Sequence, residues 1–128
     1  MMVLVDTSIW IDHLREGNHP LSRLLDQDRV LMHEMVAGEL ACGTLADRKG
    51  LLAQFSKLPQ IQLIPGREVM AFIEDHQVMG KGIGLVDANL LASTMRAGRK
   101  IWTRDRNLLA VATDLNLSFD ATTLHGVP

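Results

Sequence analysis

Short apolar runs alternate with longer stretches of helical spacing along the whole chain. Residues 3–5, 29–32, 61–64 and 100–103 each read as a short, partly β-branched strand. Residues 117–119 read as a fifth strand at a sheet edge. Between these runs the apolar positions fall three and four apart. Ile9, Trp10, Ile11 and Leu14 mark a first helix that Gly17 and Asn18 stop. Pro20 suits the first turn of the next, through Leu21, Leu24 and Leu25. Residues 34–45 are predicted helical on Met35, Val36, Leu40 and Ala41. Asp47 is placed to cap a helix that reaches Leu58 and ends before Pro59. Helices over 67–79, 85–97 and 105–115 complete the set, with Gly98 just past the end of the second of these. Residues 80–84, Gly-Lys-Gly-Ile-Gly, read as a flexible connector.

Strands alternating with helices predict an α/β fold: a mainly parallel sheet of about five strands with helices on both faces. At 128 residues and 47% hydrophobic, the chain suits one domain spanning 1–128. Sites in such sheets form beyond the carboxyl ends of the strands.

That expectation gives four acids a meaning. Asp6 ends the first strand, and Asp105 lies just past the fourth. Glu39 and Asp87 sit in helices among apolar neighbours. Capping accounts for Asp6 and Asp105 taken singly, since each precedes a helix. It accounts less well for Glu39, whose neighbours at i±3 and i±4 are Met35, Val36, Cys42 and Gly43. Asp87 complements a helix dipole, yet Leu90 and Leu91 place it beside a buried face. Unpaired buried carboxylates are costly, so four together suggest a shared hard cation. The hydroxyls of Thr7, Ser8 and Thr103 stand near enough in sequence to orient carboxylates or waters around it.

Other chemistries are excluded. His33-Glu34 does not continue to a second histidine at position 37, which is Ala. One cysteine, Cys42, allows neither a disulfide nor a cysteine-rich zinc site, and fits a reducing cytoplasm. No phosphate-binding Gly-Lys-Ser/Thr loop occurs. No signal-like start is present, and no apolar run nears the roughly 18 residues that span a bilayer. A net charge of −2 argues against a general nucleic-acid coat. A local basic stretch, Arg96, Arg99, Lys100, Arg104 and Arg106, is either a solvated helix end or a phosphate-facing rim.

Four motifs occur in order: Val-Asp6-Thr-Ser8, Glu39-Leu-Ala-Cys-Gly43, Asp87-Ala-Asn-Leu-Leu-Ala92 and Thr103-Arg-Asp105-Arg-Asn-Leu108. Each is weak alone; the ordered set resembles the PIN-domain ribonucleases, and within them the VapC toxins of toxin–antitoxin pairs. The resemblance covers essentially the whole chain. It implies a three-layer α/β/α fold and an endoribonuclease site that works with Mg²⁺ or Mn²⁺. It assigns the acidic positions to Asp6, Glu39, Asp87 and Asp105, with Asp6 and Asp87 as the surest metal ligands. The other two would complete the pocket directly or through water, one helping to activate the attacking water. Leu108 departs from the phenylalanine often found there, which bears on packing beneath the last acid. The likeness further implies an RNA substrate, a homodimer and a cognate VapB-type antitoxin. Two other classes remain open on the residues: a receiver-like phosphoryl-transfer domain, weakened by Ser8 where it would need a second aspartate, and a non-catalytic module whose acids cap helices.

Overall fold

The computed structural model describes residues 1–124; the last four residues of the expected domain lie outside the described part. Three parallel strands form the sheet: β1 (Val3–Val5), β2 (Val30–Leu31) and β3 (Lys100–Trp102), in the order β2-β1-β3. Val3 pairs with Val30 on one side and Lys100 on the other, and Leu4 with Leu31 and Ile101. β1 is wholly buried, as a central parallel strand covered on both faces must be.

Seven α-helices flank this sheet among the described residues: α1 (Thr7–Glu16), α2 (His19–Asp26), α3 (Glu34–Cys42), α4 (Arg48–Lys57), α5 (Gly66–His76), α6 (Leu85–Ala97) and α7 (Arg106–Asp114). A short 3-10 turn, Ala121–Leu124, follows. α1 packs on α2 and α3, and α3 on α4; α6 packs on α5 and β3. One continuous apolar core joins them, with Leu4, Leu21, Leu24, Leu90, Leu91, Ile101 and Leu108 among its fully buried members. Among the described residues no helix is long and apolar enough to cross a membrane.

Two of the five expected strands shrink to single bridges. On the β2 side, Met32 pairs with Gln60, and the chain then leaves the sheet. Polar side chains of α6 take over: Asn89 both accepts from the Ile64 amide (3.2 Å) and donates to the Ile64 carbonyl (2.9 Å). Ser93 donates to the Gln62 carbonyl at 2.7 Å. An amide side chain thus supplies the donor and acceptor that a neighbouring strand would supply. On the β3 side, Ile101 receives Phe119 and donates to Leu117, both at 2.8 Å, before Asp120 opens the 3-10 turn. The parallel order therefore extends by one residue at each edge.

Helix ends also shift. α5 stops at His76 rather than 79, because Gln77 adopts a left-handed conformation and turns Val78 into the core. α3 stops at Cys42 rather than 45. Asp47 occupies the cap position of α4 but is itself left-handed and makes no side-chain cap bond, so that expected cap is not formed.

Candidate active site

The parallel order carries the C-terminal ends of β1 and β3 to one edge, and the four acids gather there. Asp6 follows β1 directly and is 6% exposed. It stands at the N-cap position of α1, yet its side chain makes no cap bond, which removes the capping explanation. Its Oδ2 instead accepts from Thr103 Oγ1 (2.7 Å) and Ser8 Oγ (2.9 Å). Each hydroxyl in turn accepts a backbone amide, Asp105 N at 3.0 Å for Thr103 and Arg104 N at 3.2 Å for Ser8. Both hydroxyl protons are therefore committed to Asp6. Among the described residues no donor is found for its Oδ1.

Asp105 does cap: its Oδ1 accepts from Leu108 N at 3.0 Å at the start of α7. Its other oxygen remains available. Glu39, on α3, accepts from Thr7 Oγ1 of α1 at 2.7 Å. Asp87 lies in the first turn of α6, after the glycine connector. Its carboxyl is pushed up to about 6, first by burial, then by the negative charges of Asp6 and Asp105, with Glu39 adding least. The Gly84 backbone acts in the opposite direction. Asp87 thus feels all three of the other acids.

The sequence places these acids in apolar surroundings, and the structure corrects that picture. Only Asp6 is buried; Asp87 is half-buried, and Glu39 and Asp105 are exposed. Their apolar neighbours face the core while the carboxylates turn outward to an open edge. Among the described residues the ion pairs are Arg96 with Glu68 and Arg104 with Asp12, and neither reaches the four acids. Arg96, Arg104 and also Lys100, which donates to the Asn116 carbonyl, serve contacts within the protein. The basic stretch is thus largely structural, with Arg106 remaining exposed beside Asp105.

An all-oxygen donor set with mutual repulsion and no cationic side chain suits a hard cation. Among the described residues no three acidic, imidazole or thiol groups yet stand close enough to enclose an ion. The four carboxylates share one edge but stand apart from one another. Beside Glu39 an apolar groove of about 500 Å³ runs between α1, α3 and the turn into α4, lined by Ile11, Leu14, Leu40, Leu45 and Leu51, with Arg15 at its rim. Two buried groups, His33 and Asn89, stand out only in the folded structure. In the sequence His33 belongs to the failed zinc motif and Asn89 to the motif around Asp87; the place of a histidine just before a helix start is the one signal in the sequence that points to either.

The PIN domain family model matches residues 3–114. Ribonuclease VapC32 of Mycobacterium tuberculosis is 39% identical over 114 residues, covering 88% of this chain and 92% of its own. The fold is also that of solved structures of low identity. PAE2754 from Pyrobaculum aerophilum superposes with a TM-score of 0.67 at 19% identity, over 97% of this chain and 92% of that one. FitAcB from Neisseria gonorrhoeae gives 0.62 at 19%, over 94% and 99%. With a family model spanning nearly every element and a relative matched along almost its full length, this chain belongs to the PIN-domain family, among its VapC-type members.

Proposed function

We propose that this protein is a metal-dependent endoribonuclease, acting from a single domain as the toxin of a VapBC-type toxin–antitoxin pair. One observation carries the reading: Asp87 is charged against three other carboxylates on one sheet edge, and no cationic side chain relieves them. Membership among VapC-type proteins and the name of the 39% identical relative support it.

Asp6 and Asp87 would hold Mg²⁺ or Mn²⁺, with Asp105 and Glu39 completing the pocket directly or through water. A bound ion of this kind polarises a phosphoryl oxygen and eases deprotonation of water. The chain's own residues do the rest. Thr103 and Ser8 fix the Asp6 carboxylate by occupying Oδ2, which leaves Oδ1 to face the ligand. Thr7 fixes Glu39 in the same way, and the cap on Leu108 fixes Asp105. Either Glu39 or Asp105 takes the proton as water attacks the phosphorus of an RNA phosphodiester. The bond from phosphorus to one ribose oxygen breaks, and that oxygen leaves with a proton from solvent water, to which the carboxylate in turn gives up its own.

The chain would pair as a homodimer and bind a VapB-type antitoxin. The groove beside Glu39 fits an apolar segment of that antitoxin, with a basic side chain reaching Glu39. The deciding experiment is cleavage of structured RNA by pure protein with Mn²⁺ or Mg²⁺, beside Asp6→Asn and Asp87→Asn. Wild type should cut and both variants should not. Metal-independent cutting, or variants that cut normally, would refute the assignment.

A further inference from the structure

His33 is fully buried, and both its ring nitrogens are engaged. It stands at the N-cap position of α3, where Nδ1 accepts from the Met35 amide at 3.0 Å. A nitrogen that accepts carries no proton, so the neutral ring bears its hydrogen on Nε2. Burial, which lowers the pKa of this ring, favours that neutral form. Nε2 faces two oxygens of α6, Ser93 Oγ at 3.0 Å and Asn89 Oδ1 at 3.1 Å. Ser93 sends its own proton to the Gln62 carbonyl, so its oxygen is free to accept from His33. Asn89 in turn grips the backbone of Ile64. A continuous polar chain thus runs from the first turn of α3 to the middle of α6 and on to residues 62–64.

Those two helices carry Glu39 and Asp87. Otherwise they belong to different packing sets: α3 rests chiefly on α1 and α4, α6 on α5 and β3. A histidine that only filled space in the core would not need a directed bond to each. We propose that His33 is a positioning residue that sets Glu39 on α3 against Asp87 on α6, with Ser93 and Asn89 as its partners. The proposal rests on the nuclease reading of the four acids for its effect on activity, and on geometry alone for its effect on the helices.

Two variants separate the ring's two bonds. His33→Asn keeps an acceptor near Nδ1, and asparagine is a favoured cap, but it is too short to reach Ser93. His33→Gln extends an amide N–H toward Ser93 and Asn89. Three measurements use the full chain. The first is the distance distribution between spin labels on Cys42, exposed at the end of α3, and on Ala97→Cys, exposed at the end of α6, in protein diluted with unlabelled chain. The second is Mn²⁺ binding by calorimetry, and the third is kcat and KM on RNA.

His33→Asn should broaden the distribution and weaken Mn²⁺ binding about tenfold. It should lower kcat about 10- to 100-fold with KM within about twofold, the scale of a small misplacement of reacting groups. His33→Gln should recover much of each loss. An unchanged distribution in folded His33→Asn overturns the proposal. So does a broadened one with wild-type kcat and Mn²⁺ affinity, since the bond would then serve stability only. If wild type neither binds Mn²⁺ nor cuts RNA while the distribution still broadens, the nuclease reading fails and the helix positioning stands on the distance. Should His33→Asn not fold, Ser93→Ala removes the shorter of the two Nε2 contacts from the α6 side and leaves Asn89; it should move the same three readouts by smaller amounts, and wild-type values in all three overturn the proposal.

Discussion

Asp87 bears the cost of gathering four carboxylates on one edge. Its ordinary value of 3.8 rises to about 6 in the folded protein, so between those pH values the folded state holds more protons than the unfolded one. Stability from this group is therefore full at acidic pH and declines as pH rises through the window from 3.8 to about 6. Asp87→Asn removes that cost. In metal-free protein at pH 7.5 it should be more stable than wild type by roughly 1 kcal/mol, after discounting for the screening of a half-exposed group. The gain should vanish near pH 3.5; thermal melts of both proteins across that range check it, and a wild type that is the more stable at neutral pH would contradict it. Thr103 has the opposite character. Thr103→Val leaves the Asp105 amide without its acceptor and Asp6 with Ser8 as its one remaining hydroxyl donor, at about 1–3 kcal/mol and with a loss of cleavage, read by melts and RNA assay together. That Asp6, Asp87 and Asp105 come to one edge was legible from sequence because strand ends and helix starts are legible; Glu39, well inside α3, joins them through the packing of α3 on α1. Their local environments were not. A side chain on the rim of an apolar helix looks buried in one dimension, and whether Asp6 caps α1 or is gripped by Thr103 depends on a residue 97 positions away.

At the scale of elements, the helices and the central strands followed from periodicity, because each buries a face whose spacing is written in the chain. The sheet edges did not. Residues 61–64 have strand composition, but Asn89 and Ser93 of α6 compete for their backbone, and a pattern read along one segment carries no trace of that partner. The glycine connector is a further case. Its composition marks a turn, while its role comes from contact with α7: Asn107 donates to the Gly82 carbonyl at 3.2 Å. Gly82 has φ +78°, and a Cβ there would stand 2.5 Å from Asn107 Nδ2. Gly82→Ala should cost about 1–2 kcal/mol, since a left-handed residue gains a side chain and Asn107 must move away. The same shift would displace the entry to α6 and with it Asp87, so cleavage should fall by more than stability alone explains. Denaturant midpoints and RNA cleavage measured on one preparation test this; a stable variant with full activity would show that the connector does not position α6.

For the molecule as a whole, the proposed reading of the acidic edge would link ion binding to folding. The net charge is only −2, so the negative potential is a property of this edge and not of the surface at large. An ion that binds the folded chain and not the unfolded one stabilises it by mass action. At an ion concentration of about 100 times Kd that gain is about 2.7 kcal/mol, which for a chain of this size raises Tm by roughly 10 °C. Mn²⁺ should therefore stabilise wild type strongly, and Asp6→Asn hardly at all, because Asp6 is the acid held most firmly by its neighbours. On the proposed reading the ion would also reverse the pH behaviour of Asp87: with Mn²⁺ present, ionised Asp87 would be an attractive partner, and Asp87→Asn should become the less stable protein at pH 7.5. Scanning calorimetry of wild type and both variants, with and without Mn²⁺, gives the sign of each difference. Equal Mn²⁺ shifts in wild type and Asp6→Asn would place the ion elsewhere on the protein and remove the acidic edge as its site.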